Sequence, residues 1–130
     1  MSGSRVTVRK SAGELTIEGP GGVERFSVSI GSNPDLADKL EVGDCRTPEG
    51  EFPIVSIEDS SEWEHEGRRS YGRYFLRLLC PPWEGIGIHG TDEPERLGTP
   101  ASRGCIRMSD EGLARLVELV EIGTIVRIVP

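Results

Sequence analysis

The chain has 130 residues, 35% of them apolar, which is enough for one domain that buries a core without metal or disulfide staples. Its formal charge of -7 argues against nucleic acid or an anionic membrane surface as the main partner, because both select basic patches. No run approaches the roughly 18 apolar residues that a membrane-spanning helix requires.

The Met1-Ser2-Gly3-Ser4 start carries no basic region followed by an apolar stretch, so no export signal is visible, and its small residues are compatible with a cloning remnant. Residues 1–130 are therefore expected to form a single compact domain, working as a monomer. Short segments with β character follow at Arg5–Arg9, Glu14–Glu18 and Val23–Ile30. Ser11-Ala12-Gly13 and Gly19-Pro20-Gly21-Gly22 join them as tight turns, and alternation of Val6, Val8 and Leu15, Ile17 predicts an antiparallel meander. A short helical turn is expected over 34–40. Further strands are predicted at Phe52–Ile57, Tyr74–Leu79, Gly85–His89 and Thr124–Val129.

The charged run from Glu62 to Arg69 reads most simply as a solvated loop, and a flap over a groove has the same composition. One full helix starts at Ser109, whose hydroxyl can cap it, with Asp110 and Glu111 in the first turn where the helix dipole favours negative charge. Its apolar stripe is Leu113, Leu116, Val117 and Val120, and Gly123 is placed to supply a left-handed stop. The fold class expected is mainly β: a sandwich or barrel-like sheet with a C-terminal helix packed on it and a short additional helix.

Chemistry concentrates in two places. Strand periodicity in Gly85-Ile86-Gly87-Ile88-His89 puts both isoleucines on one face and His89 with the glycines on the other, leaving open space where a ligand can approach. Downstream, Cys105 follows Gly104 and Ser102 in a permissive turn where amide N–H groups can converge on an oxyanion. An unperturbed thiol is barely ionised at neutral pH, and a neighbouring imidazole converts it into a nucleophile. Taken singly, each residue reads more simply as structural. Three cysteines leave at least one thiol unpaired, with a Cys45–Cys80 disulfide as an open alternative.

His89-Gly90, then Ser102-Arg103-Gly104-Cys105-Ile106-Arg107, resembles the signature of the L,D-transpeptidase catalytic domain, the YkuD-like family. Gly43 to Phe52 looks like that family's Thr-Pro-x-Gly-x-Phe turn, here built on Thr47 and Pro48, and Gly123-Thr124-Ile125-Val126 looks like its closing strand. The resemblance implies Cys105 as nucleophile, His89 as general base and later acid, and the Gly104 and Cys105 amides as oxyanion donors. It implies that Ser102 orients His89 through its carbonyl, and that Arg107 braces the loop or meets a substrate carboxylate. Gly90, Arg103, Tyr71, Tyr74 and Trp83 are expected to line the groove.

By the same resemblance the substrate is a peptidoglycan tetrapeptide stem, with no cofactor or metal, β-lactams of the carbapenem type as inhibitors, and an extracytoplasmic location. Many members carry histidine where this chain has Arg103, a cation that can draw in an acidic peptide and cannot act as a base. Rival readings are an L,D-carboxypeptidase or wall-targeting toxin using the same acyl-enzyme, and a noncatalytic cell-wall-binding module. A metal site using His65, His89 and a cysteine lacks ligand spacing.

Overall fold

In the computed structural model, residues 4–130 are described, and the Met1–Gly3 start lies outside them. Ten strands run in chain order: β1 (Arg5–Arg9), β2 (Glu14–Gly19), β3 (Gly22–Ser27), β4 (Ile30–Gly31), β5 (Gly50–Asp59), β6 (Tyr74–Leu78), β7 (Gly87–His89), β8 (Pro100–Ser102), β9 (Ile106–Arg107) and β10 (Ile125–Val129). Helix α1 (Asp110–Leu119) precedes the last strand. Eight strands form one curled sheet in the order β3-β2-β1-β10-β5-β6-β7-β9, while β4 and β8 make a separate parallel pair.

The meander is as the alternation dictates: β1, β2 and β3 pair antiparallel, with Val6 opposite Ile17 and Val8 opposite Leu15. These four side chains are essentially fully buried, and each contributes about 2 kcal/mol of apolar burial. The last strand then inserts beside the first in parallel, Val6 against Val126 and Val8 against Ile128, and joins the meander to β5.

Helix α1 is capped as expected, Ser109 Oγ accepting from the Gly112 N–H at 3.0 Å. Leu113 and Leu116 are buried, and Arg115 pairs with Glu24 of β3 at 2.9 Å. Its C-terminus differs from expectation. Val120 is already extended and ends the helix, whereas Gly123 (φ +98°) serves the later turn that donates its N–H to Ile54 O and starts β10.

No helix forms over 34–40. Asn33 Oδ1 accepts from Asp35 N–H, Asp35 Oδ1 from Ala37 N–H and Asp38 Oδ1 from Lys39 N–H, so side-chain oxygens capture donors that a helix would need. The short additional helix is instead a single 3₁₀ turn at Pro94–Arg96. The predicted strand 23–30 also breaks, because Ser29 leaves β2 to exchange both backbone hydrogen bonds with Arg107.

Lys10, at the end of β1, is buried. Its ammonium donates to Ala37 O at 3.0 Å and Thr47 O at 2.9 Å, and lies 3.1 Å from the Glu49 carboxylate. All three donors are engaged, by acceptors from two different stretches of chain. Lys10→Met keeps the stem and leaves those acceptors unanswered, so it is expected to cost about 3 kcal/mol in denaturant unfolding. A loss below about 0.5 kcal/mol, the level of an ordinary surface change, would sink this account.

Candidate active site

Parallel pairing of β7 with β9 sets the site. Ile88 lies opposite Ile106 and His89 opposite Arg107, which brings Cys105, the residue before β9, alongside Gly87. His89, Cys105, Ser102, Arg103 and Arg107 all face one cavity of about 450 Å³.

His89 is buried, and its ring stacks on Phe75 (centroids 5.6 Å apart, 10° between planes) and tilts against Tyr71 at 5.0 Å. Trp63 packs on both of those rings, completing an aromatic wall. Nδ1 lies 2.6 Å from Gly90 O. A carbonyl only accepts, so Nδ1 carries the proton and the neutral ring keeps its Nε2 lone pair free. Burial, reinforced by the nearby Arg107 charge, lowers the imidazole pKa to about 4 against the opposing pull of Gly90.

Cys105 is half-buried, with Sγ 3.3 Å from Gly85 O and accepting the Gly87 N–H. Burial raises the thiol pKa, while Gly87, Arg107, Arg77 and Lys39 pull it the other way. At neutral pH the cavity therefore holds an uncharged thiol and an uncharged imidazole. The two groups do not form a standing ion pair.

Several expected roles change place. The Ser102 carbonyl accepts from the Ser32 N–H at 2.7 Å, so the imidazole is held by Gly90 O and not by Ser102. Ser102 instead clamps the cysteine loop: its hydroxyl accepts the Gly104 N–H at 3.1 Å and donates to Cys105 O. The Gly104 N–H is thus already engaged and does not stand as a free oxyanion donor.

The open space inferred beside His89 is filled, since a Cβ on Gly87 would lie 2.5 Å from the Phe75 ring. Gly90 does not line the cavity but packs on Gly72, where a Cβ would stand 2.8 Å from Cα. Neither Tyr74 nor Trp83 lines it. Tyr74 alternates to the other face of β6 from Phe75 and edges a second cavity beside α1, while Trp83 packs on the core beneath the Lys39 ammonium. Tyr71 does line it.

Arg103 lies on the exposed rim of the cavity, 2.8 Å from Glu66, and the cations acting on the thiol are Arg107, Arg77 and Lys39. Cys45 and Cys80 are free thiols, so the disulfide alternative does not hold. Nor do His65, His89 and a cysteine form a metal-holding cluster among the described residues.

The run 62–69 is not a loose loop. His65 and Arg68 exchange both backbone hydrogen bonds around Glu66 and Gly67, whose φ values of +53° and +77° suit a tight hairpin turn. Glu66 reaches Arg103 on one side of the cavity, and Arg68 pairs with Asp92 on the other. Arg107 and Arg96 both lie 3.8 Å from Glu93. The Asp92, Glu93 and Arg96 contributions were invisible in the sequence, because they lie in a loop whose only signals were Pro and Gly.

A thiol just before β9 and an imidazole on the neighbouring β7 thus line one cleft of a curled sheet, beside a charged hairpin. A family model described as the L,D-transpeptidase catalytic domain, YkuD, matches residues 3–128. YkuD of Bacillus subtilis (strain 168), named as an L,D-transpeptidase, is 35% identical over 109 residues, covering 82% of this chain and 61% of its own length. The protein of the same name from Bacillus licheniformis is 38% identical over 85 residues, 65% of this chain and 46% of its own.

Among solved structures, L,D-transpeptidase 3 from Mycobacterium tuberculosis has a TM-score of 0.76 at 20% identity, over 98% of this chain and 61% of that one. LdtMt1 in complex with imipenem has a TM-score of 0.74 at 22% identity, over 98% and 59%. The chain belongs to the YkuD family of L,D-transpeptidase catalytic domains. It spans about half the length of the two Bacillus relatives. No helix among the described residues is long and apolar enough to cross a membrane.

Because the folded imidazole titrates near 4 and an unfolded one near 6.5, the unfolded chain takes up a proton first as pH falls. The stability tied to neutral His89 is complete above pH 6.5 and is lost progressively between 6.5 and about 4. The loss is on the order of 3 kcal/mol. Thermal unfolding across that window should show it in the wild type and not in His89→Gln; equal pH slopes for the two proteins would refute the assignment.

Proposed function

We propose that this chain is the catalytic domain of a peptidoglycan L,D-transpeptidase with Cys105 as nucleophile and His89 as its base. The observation that carries the reading is the fixed tautomer of His89: Nδ1 donates to Gly90 O, which leaves Nε2 as the acceptor of a ring that lines the same cavity as Cys105. As the stem's third-residue carbonyl approaches, Nε2 takes the Sγ proton and sulfur attacks the carbonyl carbon. Charge builds on the carbonyl oxygen, and the Cys105 N–H stabilises it, since the Gly104 N–H is held by Ser102.

Collapse of the tetrahedral intermediate breaks the peptide bond. The imidazolium returns its proton to the departing D-alanine amine, and a thioester remains on Cys105. An acceptor amine then loses a proton to Nε2 and attacks the thioester, which restores the thiol and leaves a new peptide bond. Arg107 and Arg103 present cations to stem carboxylates along the cavity wall. The reaction takes place outside the cytoplasm, where peptidoglycan is assembled, and one copy of the chain contains the whole site.

Incubation with tetrapeptide-stem muropeptides, followed by mass spectrometry, tests this directly. Cross-linked dimer with release of D-alanine is the expected product, and Cys105→Ala should abolish it. Tripeptide monomer would point to a carboxypeptidase, and no turnover together with no carbapenem mass on Cys105 would overturn the catalytic reading in favour of a wall-binding module. The pH profile is a second check. Since His89 must be neutral to accept a proton, the acid limb of carbapenem acylation should fall near pH 4, and a limb near 6.5 would contradict the buried, wall-stacked ring.

A further inference from the structure

The cysteine loop turns on a glycine, and the peptide plane after a glycine is easily reversed. Gly104 has φ +141°, so the orientation of the Gly104–Cys105 peptide has to be set from outside the loop. Two hydroxyls divide that task. Ser102 Oγ holds the plane before it through the Gly104 N–H and the plane after it through Cys105 O. The middle plane belongs to Thr47, whose Oγ1 donates to Gly104 O at 2.8 Å.

Thr47 cannot make that bond in the opposite sense. Its Oγ1 accepts the Gly31 N–H at 2.9 Å, and because that partner only donates, the hydroxyl proton is committed to Gly104 O. The hydroxyl itself is buried and does not line the cavity. Behind it, the Thr47 carbonyl is fixed by Lys10 Nζ, and the adjacent Arg46 carbonyl backs onto Gly104, where a Cβ would come to 3.1 Å. In a flat trans peptide the N–H points opposite to the C=O. Holding Gly104 O toward the interior therefore aims the Cys105 N–H away from Thr47.

We propose that Thr47 is a positioning residue that locks the Gly104–Cys105 peptide so that the Cys105 N–H meets the oxyanion of the acyl-transfer intermediate. This rests on the catalytic reading above and adds to it the group that sets its one oxyanion donor. Reversal of the plane would present a carbonyl oxygen to the developing negative charge in place of an N–H. Thr47 thus acts on the barrier for carbonyl attack, leaving the thiol and its base where they are.

Two reactions of the same sulfur separate that role from general support of the loop. Acylation by a carbapenem builds an oxyanion, whereas alkylation by iodoacetamide displaces iodide at a saturated carbon and builds none. Both are followed as mass on the Cys105 peptide, so that alkylation of Cys45 does not interfere. Thr47→Val is expected to slow acylation about 100-fold while changing alkylation less than about 3-fold, and Thr47→Ser, which keeps the oxygen, should stay within about 3-fold for both.

Equal loss of both rates, or loss of neither, would overturn the proposal. If valine unfolds the protein, the Thr47→Ser and Thr47→Ala pair carries the same comparison, and failure of alanine also to fold would overturn it in favour of a structural role. A wild type that alkylates at Cys105 yet never acylates would instead remove the catalytic reading itself, and the positioning role with it.

Discussion

The buried Lys10 ammonium is the interaction on which the site rests. Removing such a charge from water costs several kcal/mol, and the cost is offset only while good acceptors surround it. Here the acceptors are Ala37 O, Thr47 O and Glu49, drawn from two segments far from β1 in sequence. The requirement ties the edge of the meander to the Thr-Pro segment, and from there Thr47 reaches Gly104. A chain of polar contacts thus runs from the end of the first strand to the residue before the thiol. Apolar burial supplies the bulk of the folding energy, but it is non-directional; the register of the cysteine loop comes from these few directed bonds.

Around His89 and Cys105 the molecule works against its own net charge. A chain of -7 places Arg68, Arg96, Arg103 and Arg107 around one cavity, each beside a carboxylate. Those pairs keep the guanidiniums from simply repelling one another, and they anchor the 65–68 hairpin to both rims. Inside, the thiol and imidazole stay neutral, because burial outweighs the nearby cations at Cys105 and is reinforced by Arg107 at His89. The aromatic wall of Trp63, Tyr71 and Phe75 covers one side of the His89 imidazole.

Much of this was legible beforehand, and the boundary has a physical explanation. The meander, the capped helix and the order of the motifs follow from local chemistry: alternation in Val6 to Ile17, a hydroxyl at Ser109, glycine turns. What was missed depends on partners distant in the chain. Gly87 was read as making room for a ligand and Gly90 as lining the groove, but the bodies they make room for are Phe75 and Gly72. Tyr74 and Phe75 are adjacent, and only pairing of β6 with β7 decides which of them meets His89. Asp35 and Asp38 looked compatible with a helical turn until their carboxylates were seen capping backbone donors. Ser102 lines the cavity, and its hydroxyl bonds the cysteine loop where its carbonyl had been expected to hold His89.

Parallel pairing of β1 with β10 has a kinetic side. Val6 sits against Val126, so the first strand of this sheet waits for one that follows it by more than 110 residues before the central sheet can close. During synthesis the β1–β3 hairpins can form alone, but their buried face lacks its cover until β10 and α1 have emerged. Long-range parallel closure of this kind is intrinsically slow, because loop entropy is lost before contacts compensate for it. The nascent domain therefore spends its synthesis with an open β1 edge, a template for mispairing that is removed only when the final strand docks.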